Sequence, residues 1–384
     1  MKKVLLIDTN VSSFPMYKSL VERGYDVYVM SSKSTDCLSK YTKNYINCDY
    51  SNIESLKNKI KEYNFDYVVP GGNDLSYLSF AKINSEFKYE GVDTFENSEI
   101  INNKIKFRKF ALSHNLHTPK IFTKQELNNI KGPVIIKPVD AYSGRGVTIV
   151  KDNNEENIDI AIQTAIKFSN SKNYLIEEYV EGQLYSHSAF VSNKKIIQDF
   201  IVIEDCSANP FTVDTSHVIY DFNKKMLNDI RMDIEKMSNE LNLVDGLIHT
   251  QFIKTKNSFK IIEVTRRCPG DLYSLLIEKS TGFNYADYYV RSFINEDINV
   301  KRVKLQRNNI IRHTISMHCQ IPFIGVKYDD TITTNLFIPL ITTGDELKQS
   351  PFGRVGLLFI NCKSKKELSK INNKILTRKL YSIE

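Results

Sequence analysis

One stretch constrains this chain more than any other: Val134-Ile135-Ile136-Lys137-Pro138-Val139-Asp140-Ala141-Tyr142-Ser143-Gly144-Arg145-Gly146-Val147. An apolar strand runs into a lysine, and a loop of small residues then returns to a second strand. Glycines let backbone N–H groups approach a polyanion without side-chain obstruction, and a lysine at a strand end places a positive charge at a fixed point. A triphosphate suits this arrangement. A plain turn also explains it, so the rest of the chain has to decide.

The chain has 384 residues, enough for two or three units with a sizeable core. With 41% hydrophobic and 25% charged residues it reads as folded rather than disordered or low-complexity. The first apolar run, Val4 to Ile7, is stopped by Asp8, too early for a signal-peptide core. No run approaches the roughly 18 apolar residues of a membrane span. Six scattered cysteines without CxxC spacing fit reduced thiols better than disulfides or zinc. A cytoplasmic protein without membrane partners is the expectation. Residues 301–384 hold 15 Lys and Arg against 6 Asp and Glu, whereas the rest of the chain is close to neutral. No aromatic RNA-binding signature accompanies these cations, so they read as solvated surface and a nucleic-acid partner is not expected.

Alternating apolar and amphipathic segments organise the chain. Val4–Ile7, Asp26–Met30 and Phe65–Pro70 read as strands separated by helices near 16–22 and 53–60, the pattern of a parallel α/β sheet. The turn Pro70-Gly71-Gly72-Asn73-Asp74 stands at a strand's carboxyl end, where open sheets place ligands. No GxGxxG loop is present, so no dinucleotide is expected. A second unit begins at a polar turn, Glu96-Asn97-Ser98, and continues with strands at 133–137, 147–150, 174–178, 247–253 and 259–264 and helices at 155–168 and 224–241. The tail adds strands at 310–317 and 355–360 and a lysine-rich helix.

Two further groups carry chemistry. Leu175-Ile176-Glu177-Glu178-Tyr179-Val180-Glu181-Gly182 ends a strand with acids beside apolar residues, either a hinge that reads an adenine edge or a solvated strand end. Strand alternation places His249 and Gln251 on one face, and Glu263, Thr265 and Arg267 on one face of the next strand. If these strands are neighbours, Gln251, Glu263 and Thr265 can converge as oxygen ligands for magnesium, with substrate phosphates completing its shell. A polar sheet face is the alternative. His187, His217, Arg266 and the Cys268-Pro269-Gly270 turn are substrate-site candidates only by proximity, and structural roles suit them better.

The order of these pieces resembles the ATP-grasp superfamily, especially its carboxylate–amine ligases, such as the carbamoyl phosphate synthetase large chain and the L-amino acid ligases. The resemblance covers roughly residues 98–296. It implies an α/β architecture: a Rossmann-like unit at 1–97, an ATP-grasp domain at 98–300 with a lid near 113–178, and a small β-rich lobe at 301–384. It implies that Lys104 and Lys137 contact ATP phosphates under the loop Ser143, Gly144, Arg145 and Gly146. Glu177 would accept from the adenine amino group, the backbone at Glu178 and Val180 would read the ring, and Glu181 or Gln183 would stand in at the ribose. Glu263 matches the metal-bridging acid of a Glu-x-Asn-x-Arg motif, Arg267 its arginine, and His249 a preceding His-x-Glu pattern. Three positions depart from the family: Gln251 and Thr265 replace an acid and an asparagine at the metal, and Leu184 replaces a ribose-binding glutamate.

The implied reaction joins a small carboxylate to an amine through an acyl phosphate, using ATP and Mg²⁺ or Mn²⁺ and releasing ADP. A homodimer is compatible with it. Carboxylase-type chemistry and an ATP-binding protein with reduced catalysis are the alternatives.

Overall fold

The computed structural model describes residues 1–141, 144–152, 154–298, 305–329 and 331–384. Ser143 of the glycine-rich loop lies outside the described residues.

The amino-terminal unit is a parallel sheet of β1 (Lys3–Ile7), β2 (Asp26–Ser31), β3 (Tyr45–Asn47) and β4 (Tyr67–Pro70) in the order β3-β2-β1-β4. Val4, Leu5, Leu6 and Ile7 are all fully buried, the unbroken apolar run expected of a strand covered on both faces. β3 is only three residues long, too short to show a period in the sequence. The helix Asp74–Phe87 follows β4, and the Asn73 side chain accepts from the Ser76 N–H at its start. The polar turn read at Glu96-Asn97-Ser98 is corrected: these residues open the helix Phe95–Asn102, capped by Thr94, which accepts from the Asn97 N–H. The cluster of polar residues was a capping signal rather than a loop.

A second, four-stranded sheet has the order β5 (Ile121–Phe122), β8 (Tyr174–Glu178), β6 (Val134–Pro138), β7 (Thr148–Val150). The helix Glu155–Phe168 covers it through Ile158, Ala161, Ile162 and Ala165, spaced by three and four, and these close a separate small core with Val134, Ile136 and Ile176.

The third sheet has eight strands: β13 (Phe259–Thr265), β12 (Gly246–Lys254), β9 (Gln183–Ser192), β10 (Lys195–Asp205), β11 (Thr215–Ile219), β14 (Asn309–Ile315), β19 (Gly356–Cys362) and β17 (Thr333–Pro339), in that order. β14, β19 and β17 come from the tail and extend the central sheet. The tail does add its own apolar cluster, in which Leu368, Ile371 and Ile375 of the helix Lys365–Leu376 pack on Ile311 and Ile360. Two ribbons complete it: β15 (Ile321–Pro322) with β18 (Glu346–Leu347), and β16 (Val326–Tyr328) with β20 (Tyr381–Ile383). Among the described residues no helix is long and apolar enough to cross a membrane.

Candidate active site

The small sheet aims its charges from β6 and β8. These strands are antiparallel, with Lys137 opposite Leu175 and Ile135 opposite Glu177. Lys137 Nζ lies 2.5 Å from Glu177 Oε2, and the guanidinium of Arg108 approaches Glu177 Oε1 at 2.5 Å. The Arg108 and Glu177 side chains are almost wholly buried. Burial is the largest influence on Lys137 and lowers its ammonium pKa to about 8, with Glu177 opposing and Arg108 and Lys104 reinforcing the shift. On Glu177 burial acts upward, but Arg108 and Lys137 outweigh it and hold the carboxyl below its ordinary value. Both Glu177 oxygens therefore face cations in this structure, a different setting from the adenine contact that the resemblance implies.

Arg108 was not singled out in the sequence. It sits four residues after Lys104 on the helix Lys104–Ser113, so the spacing already put two cations on one helical face. Asn103 caps that helix, accepting from Ile105 N and Lys106 N, and so fixes Lys104 at its first turn. Lys104 Nζ donates to the Ala141 carbonyl at 2.9 Å and stands 3.8 Å from Glu263 Oε1. One lysine thus joins the loop after β6 to the acid on β13.

That loop is shaped by its glycines. Gly144 and Gly146 adopt φ of +68° and +72°, and a Cβ on Gly144 would stand 2.5 Å from the Phe211 Cβ. A side chain there would be strained twice over, by the left-handed backbone and by the contact. Arg145 is exposed, and its guanidinium lies 5.8 Å from the ring of Phe352 in the tail. At the hinge, Glu178 N donates to the Lys120 carbonyl, and the Val180 N–H makes no hydrogen bond among the described residues. Gln183 donates its amide to the Leu184 and Glu204 carbonyls and to Asp205, whereas Glu181 is exposed.

On the large sheet Gln251 is directly opposite Glu263, and Thr265 is opposite His249. Glu263 is half-exposed beside Lys104. The Gln251 amide donates to Glu204 Oε2 at 2.6 Å, across β9, where the small Ser186 is its cross-strand neighbour. Glu204 is buried, and its pKa rises chiefly through burial, with Glu263 adding to the rise and Ser186, Arg312 and Gln251 opposing it. Nothing in the local sequence marked Glu204, because its relation to Gln251 depends on the order of three strands.

Thr265 and Arg267 turn towards the amino-terminal unit. The Thr265 hydroxyl donates to Asp74 Oδ1 at 2.8 Å, and Arg267 spans the same carboxylate with Nε to Oδ1 at 3.0 Å and Nη2 to Oδ2 at 2.9 Å. The turn after β4 therefore delivers an acid to the large sheet. Of the oxygen set read from the sequence, Gln251 and Glu263 are cross-strand partners, while Thr265 is bound into the Asp74 cluster two register positions along.

The remaining candidates are mostly buried. Arg266 is buried, with its Nε donating to Asp93 and its other nitrogens to the Leu247 and Val244 carbonyls. His187 points to the opposite face, where it meets Asp199, which Arg231 also grips. His217 is held to a pKa of about 4 by burial, and His249, bonded to Ser188, to about 3 for the same first reason. Cys268 is fully buried.

With this geometry in place, comparison with known proteins gives the fold. Residues 130–274 match the family model described as the ATP-grasp domain, and the chain has the ATP-grasp fold. It is similar to the formate-dependent phosphoribosylglycinamide formyltransferase of Prochlorococcus marinus subsp. pastoris, 26% identical over 326 residues and 81% of either chain. It is also similar to the phosphoribosylamine–glycine ligase of Pyrococcus furiosus, 22% identical over 294 residues, which are 70% of this chain and 66% of that one. Among solved structures, the L-amino acid ligase from Bacillus licheniformis superposes with a TM-score of 0.82 at 16% identity, covering 100% of this chain and 98% of that one.

Proposed function

We propose that the protein is an ATP-dependent carbon–nitrogen ligase that joins a small carboxylate to an amine through an acyl phosphate, releasing ADP and phosphate. The observation that carries this reading is the 3.8 Å approach of Lys104 to Glu263, beside a buried lysine, Lys137, that ends an apolar strand. In this reading a cation from the capped helix and a cation from the small sheet serve the same phosphates beside an acid from the large sheet. The named ligases among the relatives support the same class of reaction.

A carboxylate resists amines because its leaving group is oxide and its charge repels electron pairs; phosphorylation removes both obstacles. In this reading Lys104 and Lys137 bind and orient the phosphates, and their charge stabilises the negative charge that builds as the carboxylate oxygen attacks in line. Arg145 and the glycine-rich loop cover the reacting group and keep water from the intermediate. The Val180 N–H is a free donor for the ring edge of the nucleotide among the described residues.

The residues present fit a hard divalent cation. Glu263 and the Gln251 carbonyl oxygen form an oxygen-only pair, and Gln251 Oε1 accepts no hydrogen bond among the described residues. Those residues contain no group of three His, Cys, Asp or Glu able to cage a metal. An ion held by one or two protein oxygens, with phosphate and water completing its shell, is the magnesium habit. When bound, such an ion neutralises phosphate oxygens. The test is an ADP-release screen over pairs of amino acids and small carboxylates, with the product weighed by mass spectrometry. ADP formed only when both partners are present, with a product lighter than their sum by one water, is the expected result; nucleotide binding without turnover across the panel would contradict it.

A further inference from the structure

Position 251 holds an amide where the resembling family holds an acid, yet the sheet face around it is not short of carboxylates. One strand, β9, separates β12 from β10, so the span is two strand spacings, roughly 10 Å, which side chains bridge only over a small neighbour. Ser186 is that neighbour, opposite Gln251 on β9, and Gln251 Nε2 reaches Glu204 Oε2 at 2.6 Å above it.

A carboxylate oxygen accepts, so it takes the NH₂ side of the amide. An amide is planar, and turning its nitrogen to Glu204 turns its oxygen the other way, towards the cross-strand partner Glu263. Without Glu204 the NH₂ group could swing to Glu263 itself, close that carboxylate with a hydrogen bond and present protons to an incoming cation. We propose that Glu204 and Gln251 act as one unit in place of the missing acid: Glu204 fixes the amide so that Gln251 Oε1 faces a divalent cation on Glu263. Glu204 is thus a positioning residue. The inference rests on the ligase reading, because only that reading puts a cation at Glu263.

The experiment uses the full chain with ADP and Mn²⁺, following free Mn²⁺ by its paramagnetic resonance signal, and measures ADP affinity separately in EDTA. Loss of an outer-shell partner typically weakens metal binding about ten- to a hundredfold, the expected effect of Glu204→Gln. ADP affinity in EDTA should not move. Combining Glu204→Gln with Gln251→Glu reverses donor and acceptor while keeping the charge of the face, so Mn²⁺ affinity should return to the wild-type level. Unchanged Mn²⁺ affinity in Glu204→Gln, or a double variant as weak as the single one, would overturn the inference and leave the ligase reading intact. Failure of the wild type to bind ADP under either condition would instead overturn the ligase reading.

Discussion

At the lid end of the site two buried cations, Lys137 and Arg108, share one acid, Glu177, whereas at the sheet end two acids, Glu204 and Glu263, flank a neutral amide with Lys104 alongside. The first group has positive charge left over, whereas in the second Lys104 and Arg312 oppose the two acids. They differ in burial as well: Glu177 and Arg108 are sealed in, while Glu263 is half-exposed. The lid end is thereby part of the fold as well as of the site. The exposed acid of the sheet end can be changed without disturbing the core, and its effects should appear only when a ligand is bound.

The sharpest way to break this contrast is at Glu177. Removing one partner of a buried ion pair leaves charge uncompensated, so Glu177→Ala should cost about 3–5 kcal/mol of stability in urea unfolding, with Lys137 and Arg108 left facing each other. A loss no greater than that of a surface substitution would remove the distinction between the two ends. Next in size is Lys137→Met, which deletes charge aimed at the developing phosphate. The expected loss in ADP release is about 10²–10³-fold, with the fold retained by circular dichroism.

The pH response follows from the same lysine. Its pKa in the folded chain is about 8 against an ordinary 10.5, so between those values the unfolded chain binds the extra proton. Stability should therefore rise with pH across that window, as the buried charge is relieved. Phosphate binding needs the charge, and ADP affinity should fall by up to about tenfold per pH unit above 8. Lys137→Arg should flatten that fall in a calorimetric titration. The smallest effect belongs to Arg145: its exposed contact with Phe352 is worth about 0.5–1 kcal/mol at most, so Arg145→Ala should barely move the thermal midpoint.

Much of this contrast was legible before the structure. Lys137 near the end of an apolar strand and Gly144 and Gly146 in the loop follow from period-two alternation and turn chemistry, which are local; the facing of Gln251 with Glu263 was read only on the condition that their strands are neighbours, which the pairing supplies. Arg108 was legible but unread; the Lys104-x-x-x-Arg108 spacing put it on the Lys104 face. Glu204 was not legible, because its meeting with Gln251 requires that β9 lie between β12 and β10 and carry a serine at the crossing point. Asp74 is a third kind of case: the turn after β4 was recognised as a ligand position, but the structure uses it to hold Arg267 and Thr265. Pairings between units separated by nearly two hundred residues leave no periodic trace.

The most direct test of the difference between the two ends is calorimetric titration of ATP in EDTA and again in Mg²⁺, on the wild type, Lys137→Met and Glu263→Gln. The account expects Mg²⁺ to tighten ATP binding in the wild type, Glu263→Gln to keep the EDTA affinity but lose the Mg²⁺ gain, and Lys137→Met to lose affinity in both. ATP binding indifferent to Mg²⁺ and unchanged by Lys137→Met would contradict it.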